Sequence, residues 1–473
     1  MKDRDRRLRG VYSSLIDSAL LVSRIGPLRE WILTILTPIV RSSIILAQRE
    51  ISNPQVLKDK TDMMLALIYS AMRSGIHKKT VRIMMKKIFL SEKRKLTEHR
   101  FYRRFGFMPP SFITISPGKR CNLKCHYCYA NATTDDEKLS HHVFSRIIAE
   151  AKEFWGTRFF VISGGEPFLW RDAGKDFLDV AADNLDTIFL VYTNGTLIEG
   201  RVLDRLYELG NILPAISVEG LKEVTDQRRG KGIFERITKV MRELRRRHIA
   251  FGISMTATRL NCAELLSDRF IDFYFKEMGA SFGWIFHYMP IGRDPDPELM
   301  PTPEQREWMW KRSWEIIRKR RILLADFWNH GTVSNGCISA GRSGGYFYID
   351  WNGNITPCVF FPYSTMNINE IYQKGKTINA IFEDPFFAAI RCWQRAYGYK
   401  KPTIDHETDW LRPCPIRDHH QIAREIIERH RARLIEGNDR RIESDSFFKL
   451  MDKYDRALKE RIGRIWQERY LCG

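Results

Sequence analysis

Apolar and polar positions follow a regular alternation along the middle of the chain. From about residue 109, short apolar runs are separated by stretches of helical periodicity at 142–154, 203–209, 234–246 and 264–276. Runs of this length predict buried strands, and their alternation with helices predicts a parallel sheet built by right-handed crossovers. Six units indicate an α/β fold whose core is a partial (βα)6 barrel. The predicted strands are residues 112–116, 159–163, 188–193, 212–218, 253–258 and 284–289.

The alternation stops on both sides of this core, which divides the chain into four predicted regions. Residues 1–108 show helical patterns at 8–22, 63–72 and 81–90, and residues 109–325 form the barrel. Residues 326–418 are loop-rich and hold four cysteines, and residues 419–473 read as a charged helical tail. A small loop-rich unit of this kind needs a bound metal for stability.

Positive charge is concentrated at the start of the chain. The first 100 residues hold 21 Lys and Arg against 9 Asp and Glu, a net of +12 within a whole-chain net of +20. Such a balance attracts anionic partners. Two interpretations stay open: a solvated helical cap on the barrel, or a region that docks on an anionic membrane surface through residues 31–47.

Targeting signals are not visible in the sequence. We find no secretory signal pattern and no apolar stretch of the roughly 20 residues that a membrane span needs. The prediction is therefore a cytoplasmic protein, or a peripheral one on the cytosolic face of a membrane.

The cysteines fall into two groups, and the first is compact. Cys121, Cys125 and Cys128 lie within eight residues directly after the first predicted strand, at the end of a parallel barrel where active sites form. Structural zinc takes four ligands and iron–sulfur cubanes are usually held by four cysteines. Three thiolates therefore indicate a metal centre with an open fourth position, and a zinc site completed by His126 or by a distant group is the alternative.

The spacing Cys-x3-Cys-x-aromatic-Cys, with Tyr127 as the aromatic residue, resembles the signature of the radical S-adenosylmethionine (radical SAM) superfamily. The resemblance implies that the three cysteines hold a [4Fe–4S] cluster whose free iron chelates S-adenosylmethionine, with Tyr127 against the adenine. It implies reductive cleavage of the cofactor to a 5′-deoxyadenosyl radical, which abstracts hydrogen from an unactivated C–H bond. A low-potential electron donor of the flavodoxin or ferredoxin type would be the redox partner.

Further matches to the family follow, each just after its own predicted strand. Gly164, Gly165 and Glu166 resemble the glycine-rich motif that meets the methionine ammonium group, and glycines permit close backbone approach there. Asn194 resembles a residue of the cofactor pocket. The resemblance further implies ribose contacts from Ser217 and Glu219, and a contact to the cofactor carboxylate from Arg229.

The second cysteine group comprises Cys337, Cys358, Cys392 and Cys414. Cys337-x15-Gly353-x4-Cys358, around an Asn352-Gly353 hairpin signal, resembles the opening of the SPASM domain, which holds auxiliary clusters in radical SAM enzymes. The dense cysteine run that usually follows is missing. Four cysteines suffice for one cluster, so we predict a shortened, twitch-like domain with one auxiliary [4Fe–4S] cluster. A zinc site held by the same four thiolates is the alternative.

The substrate is the least determined part of the sequence analysis. His287 and Tyr288 end the sixth predicted strand, either as proton donors or acceptors or as a packed aromatic strand end. The basic N-terminal region favours a lipid or another hydrophobic substrate. A peptide, protein or cofactor-pathway maturase with the same radical chemistry is the alternative. From another class, a nucleic-acid modification or binding protein would use the positive charge, but no zinc-finger spacing or basic stripe interleaved with stacking aromatics supports it.

Overall fold

The computed structural model describes residues 34–35, 37–42, 44, 53–73, 78–83, 91–399 and 408–471. The helical pattern predicted at residues 8–22 lies outside the described residues, as does most of the one at 81–90. The pattern at 63–72 falls within an observed helix, Pro54–Arg73. None of the described helices is long and apolar enough to cross a membrane.

A ten-stranded sheet forms the centre of the molecule and confirms the predicted α/β class. Its spatial order is β10-β9-β8-β1-β2-β3-β4-β5-β6-β7 in the numbering below. Neighbouring strands from β8 through β1 to β7 run parallel, and β9 and β10 are antiparallel additions beside β8. The strands are β1 Ile113–Ile115, β2 Phe159–Ile162, β3 Ile188–Thr193, β4 Ile212–Val218, β5 Gly252–Ala257, β6 Gly283–His287, β7 Leu324–Asp326, β8 Tyr348–Ile349, β9 Asn354–Thr356 and β10 Met366–Asn367.

All six predicted strands are observed, and the sheet continues beyond them on both sides. Leu324–Asp326 adds a seventh parallel strand next to β6. The hairpin signal at Asn352 and Gly353 is confirmed by the β8–β9 pair, where Gly353 has φ 85°. This hairpin belongs to the cysteine-containing region after residue 326, and β8 pairs directly with β1.

The described α-helices lie before, between and after the strands of the sheet in chain order. They are α1 Pro54–Arg73, α2 Lys78–Ile83, α3 Glu92–Phe105, α4 His141–Phe154, α5 Phe177–Ala182, α6 Gly200–Leu209, α7 Lys222–Arg229, α8 Ile233–Arg246, α9 Cys262–Leu265, α10 Asp268–Ile271, α11 Pro303–Glu315, α12 Gly331–Ser334, α13 Ile368–Gln373, α14 Pro385–Ala396, α15 Pro415–Asp418, α16 His420–His430 and α17 Asp445–Trp466.

Helix α4 illustrates why the crossover segments are helical. Ser140 caps its first turn, because the Ser140 hydroxyl accepts a hydrogen bond from the Val143 amide. Phe144, Ile147, Ile148 and Ala151 then recur at helical spacing and are all fully buried. Burial of one large side chain such as Phe144 stabilises the fold by about 1.5–3 kcal/mol.

The N-terminal helices pack on the barrel at identifiable points. Near one end of α1, the Lys60 ammonium group donates to the Val333 carbonyl at 3.0 Å, and near the other end the Ser70 hydroxyl accepts from the Leu323 amide at 3.1 Å. Helix α1 therefore runs along β7, from beyond its carboxyl end to its amino end. Thr80 of α2 donates to the Gly210 carbonyl, just before β4 begins.

Candidate active site

The loop that contains the first three cysteines follows β1 and has a strained turn at its centre. Tyr127 has φ 55°, a left-handed conformation that is uncommon for residues other than glycine. Arg228 of α7 holds this turn, because its side chain donates to the carbonyls of His126 at 3.2 Å and Tyr127 at 3.3 Å. Arg293 holds the same loop from the other side, donating through its side chain to the Cys125 carbonyl at 2.8 Å and through its amide to the Cys128 carbonyl at 3.0 Å.

Gly164 and Gly165 follow β2 and pack against the backbone that leads into the cysteine loop. A Cβ atom on Gly165 would stand 2.2 Å from the carbonyl oxygens of both Lys119 and Arg120. The Gly165 amide donates to the Gly118 carbonyl at 2.9 Å. Gly164 and Gly165 therefore permit a close backbone approach, as predicted. The approach is between their own loop and the segment 118–120, at the edge of the cavity described below.

Glu166 and Asn194 connect the ends of β2 and β3 to the cysteine loop. The Glu166 carboxylate is buried and accepts from the Thr193 hydroxyl and the Asn194 amide, both at 2.8 Å. Burial raises the pKa of Glu166 to about 7. The side-chain amide of Asn194 donates to Asn122 at 2.8 Å and lies 3.8 Å from the Cys121 sulfur.

Glu219 is the centre of a buried ion cluster beneath the cavity wall. Its side chain is 1% exposed, and its two carboxylate oxygens pair with Arg228 and Arg229. The Nε atom of Arg229 lies 3.0 Å from the Glu219 carboxylate. Both arginines line the cavity, whereas Glu219 does not. Glu219 therefore positions the two cations in this structure, and Ser217 is the member of the predicted ribose pair that reaches the cavity.

A single cavity of about 1050 Å³ occupies the interior of the barrel and extends to the second cysteine group. Ordinary ligand sites measure roughly 300–1,000 Å³, so this cavity is slightly larger than the upper end of that range. Of the predicted site residues, Glu166, Glu219 and Cys392 do not line it. Those that do are Cys121, Cys125, Tyr127, Cys128, Gly164, Gly165, Asn194, Ser217, Arg229, Cys337, Cys358 and Cys414.

Three cysteines of the second group share this cavity, and the fourth does not. Cys358 accepts or donates a hydrogen bond with the Tyr346 hydroxyl at 2.8 Å, and the Cys414 amide donates to Asp418 at 3.1 Å. Cys392 lies on α14 and is exposed. Ile390 and Gln394, two residues before and after it, are buried, so Cys392 projects from the opposite side of the helix. The structure thus places Cys337, Cys358 and Cys414 at the cavity and Cys392 outside it.

The chemistry of both cysteine groups fits iron–sulfur clusters. Burial raises the pKa of Cys121 to about 11 and of Cys358 to about 12, and it also raises the pKa of Cys125 and Cys414. Buried thiols of this kind become thiolates when a metal binds them. Among the residues that the structure describes, no three His, Cys, Asp or Glu side chains are close enough to hold a single metal ion. A cluster of four irons spaces its ligands more widely than one ion does.

His287, one of the two residues at the end of β6, belongs to a buried polar network. Its Nε2 atom lies 3.0 Å from the Asp326 carboxylate, and its Nδ1 atom accepts from Arg417 at 3.1 Å. Burial lowers the pKa of His287, and both ring nitrogens are occupied, so the neutral ring is held in place. The sequence carried no signal for Asp326 or Arg417 as its partners, because they come from distant segments.

Comparisons with known proteins agree with this site. Residues 115–259 match the family model described as the radical SAM superfamily. The chain is 26% identical over 290 residues to an AdoMet-dependent heme synthase of Methanosarcina barkeri, covering 55% of this chain and 80% of that protein. It is 28% identical over 317 residues to a cysteine-type anaerobic sulfatase-maturating enzyme of Clostridium perfringens, covering 58% and 81%. Two other curated relatives, 30% and 33% identical, are matched over only 37% and 39% of their own length.

The fold also resembles solved structures. Streptococcus suis SuiB bound to S-adenosylmethionine superposes with a TM-score of 0.53 at 16% identity, over 75% of this chain and 89% of SuiB. The chain thus contains a radical SAM domain and is a radical SAM enzyme. Enzymes of this superfamily use a [4Fe–4S] cluster and S-adenosylmethionine, and Cys121, Cys125 and Cys128 lie within the matched residues and line the cavity.

Proposed function

We propose that this enzyme takes a hydrogen atom from an unactivated C–H bond of a lipid or another hydrophobic substrate held in its central cavity. One observation supports this most: a single cavity, lined largely by apolar and aromatic side chains, extends from the Cys121–Cys128 loop to Cys337, Cys358 and Cys414. A substrate inside it would lie between the two cysteine groups and away from water, which protects a reactive radical from side reactions.

The first cysteine group and its neighbours would hold the cofactors. When bound, the [4Fe–4S] cluster and S-adenosylmethionine supply a 5′-deoxyadenosyl radical. Tyr127 would lie against the adenine, Ser217 would contact the ribose, and Arg229 would bind the cofactor carboxylate. Gly164 and Gly165 provide the closely packed backbone at the cavity edge, and Glu166 and Asn194 fix the loops around Cys121.

The second cysteine group would hold one auxiliary cluster in a shortened SPASM-like domain. Its proposed ligands are Cys337, Cys358 and Cys414. A flavodoxin- or ferredoxin-type protein would supply electrons, and the basic N-terminal region would favour an anionic membrane surface as a further partner.

Formation of 5′-deoxyadenosine by anaerobically reconstituted, chemically reduced enzyme tests the proposal directly. Cys125→Ala is expected to abolish it and to remove about four irons per chain. Cys392→Ala is the matched control, because Cys392 is exposed and does not line the cavity, and it should retain both the iron and the cofactor cleavage. Full turnover by Cys125→Ala would contradict the assignment of the loop.

A second candidate function is a maturase for a peptide, a protein or a cofactor precursor. The activities by which the curated relatives are known, heme synthesis and sulfatase maturation, support it better than they support a lipid substrate. Comparative lipid and metabolite analysis of a deletion strain separates the two. Accumulation of an unmodified lipid supports the first candidate, and accumulation of a cofactor precursor or an unmodified peptide supports the second.

A further inference from the structure

The lower part of the barrel interior is hollow and apolar. We define the lower lumen by Phe112, Phe159, Leu190, Phe282, Trp284 and Leu323, all of which line the cavity. In closed (βα)8 barrels the interior is filled by layers of side chains. Here Phe112, Phe159, Phe282 and Trp284 are only partly buried although they lie inside the molecule, so the lumen has space for a ligand below the cysteine loop.

The six residues that define the lower lumen carry one polar group, the Trp284 indole, and the hydroxyl-bearing residues Thr114 and Ser254 also line the cavity, Ser254 beside Trp284 in strand register. The indole N–H of Trp284 is buried and has no hydrogen-bond acceptor among the described residues. A peptide or a polar ring in this space would leave its own hydrogen-bonding groups unpaired, which is unfavourable. A hydrocarbon chain has no such groups and gains from leaving water.

Helix α1 supplies the remaining wall and the way out. Met63, Met64, Leu67 and Ile68 line the cavity along one side of the helix. Met64 is 40% exposed and Ile39, which also lines the cavity, is 55% exposed. The cavity therefore reaches exposed apolar side chains of the N-terminal helical region, at a level of α1 between Lys60, near the carboxyl end of β7, and Ser70, near its amino end.

We propose that the lower lumen binds an extended hydrocarbon chain, acyl or prenyl, that lies along the wall formed by Met63, Leu67 and Ile68 of α1. This inference rests on the proposed function, because the reacting carbon would lie at the upper end of the same cavity. From Phe159 to Ser163 the wall of β2 rises by about 13 Å, at roughly 3.3 Å per residue. The dimensions suit an unbranched or methyl-branched chain lying along the barrel axis.

Binding of straight-chain 1-alkanols to the cluster-loaded, full-length enzyme under anaerobic conditions tests the inference without turnover. Affinity is expected to rise about fourfold per added methylene, the value for apolar burial expressed as a ratio. A brominated alkanol should quench tryptophan fluorescence, and Trp284→Phe should remove most of that quenching. Quenching that is the same in Trp284→Phe, or affinity that does not depend on chain length, would overturn the proposal.

Ala325→Phe is designed to fill the lumen, because Ala325 lines the cavity beside Trp284 in strand register. It should weaken binding of the longer alkanols on the order of tenfold, whereas Leu185→Phe, at an exposed position, should bind like the unaltered enzyme. Equal binding of the alkanols by both variants would refute the assignment. An enzyme that binds hemin tightly but binds none of the alkanols would refute it as well. If the circular dichroism spectrum shows that Ala325→Phe does not fold, the fluorescence quenching of Trp284→Phe decides whether the lumen binds the alkanols.

The two proposals fail in different ways. An enzyme that cleaves S-adenosylmethionine but binds no alkanol retains the proposed radical function and loses the hydrocarbon site. An enzyme that binds alkanols with the expected chain-length dependence but forms no 5′-deoxyadenosine retains the site and loses the radical function.

Discussion

Removal of the Glu219 carboxylate tests how the cavity wall is held. The Glu219 side chain is 1% exposed, and its partners Arg228 and Arg229 are 16% and 12% exposed. Breaking a buried ion pair by deleting one partner costs about 3–5 kcal/mol, because the remaining charge stays buried without compensation. Glu219→Ala leaves the Arg229 guanidinium group in that state and frees Arg228, the more exposed of the two, to turn toward solvent. We therefore expect a loss of about this size, a large fraction of the roughly 5–15 kcal/mol that stabilises an ordinary domain.

The loss should spread to the cysteine loop. Arg228 also bonds the carbonyls of His126 and Tyr127, so an unpaired Arg228 that turns toward solvent would release the strained turn at Tyr127. Urea unfolding of the anaerobic enzyme measures the stability, and iron analysis of the same sample reports on the loop. Glu223→Ala deletes an exposed carboxylate from the same helix and should stay within about 0.5 kcal/mol of the unaltered enzyme. Equal stability of the two variants would refute the argument.

Three further changes have expected outcomes. Gly165→Ala should lower iron content after reconstitution, because the added methyl group collides with the Lys119 and Arg120 carbonyls; iron analysis measures it, and unchanged occupancy would contradict the packing argument. Asp418→Ala should lower the urea midpoint by the equivalent of about 3–5 kcal/mol, since Arg306 and Arg417 are fully buried around it. Burial raises the pKa of Asp350 to about 6, so the folded state binds its proton more tightly than the unfolded state. Stability should therefore fall by about 3 kcal/mol as pH rises from about 4 to 6, and Asp350→Asn should lack this component in unfolding measured across that range.

The regular core of this protein could be predicted from its sequence because local patterns determine it. The six predicted strands correspond to β1–β6, since each is a continuous apolar run bounded by turn residues. The seventh, Leu324–Asp326, has three residues and follows an arginine-rich segment, so it has no pattern of its own. It forms because β6 offers an unpaired edge, which is a property of the assembled sheet.

The candidate site also has one part that local sequence predicts and one part that depends on the assembled fold. Cys121, Cys125 and Cys128 are close in sequence, so their spacing alone predicts a shared centre. The grouping of Cys337, Cys358 and Cys414 depends on three distant segments, and counting cysteines adds Cys392, which does not line the cavity that the other three share. Helical geometry resolves that position, because α14 buries Ile390 and Gln394 and turns the residue between them outward.

The position of α1 changes how the N-terminal region bears on substrate choice. The sequence offered two interpretations of this basic segment, a cap on the barrel or a surface for lipids. In the structure Lys60 is bonded to the Val333 carbonyl near the second cysteine group, while Met63, Met64 and Leu67 form a wall of the cavity. Helix α1 therefore packs on the barrel as the cap interpretation expects, and docking on a membrane through residues 31–47 stays a prediction. Substitutions along this apolar face should therefore alter substrate binding, whereas exposed basic residues on the same helix, such as Lys58, should affect only attraction to anionic surfaces, a difference that titration with salt makes visible.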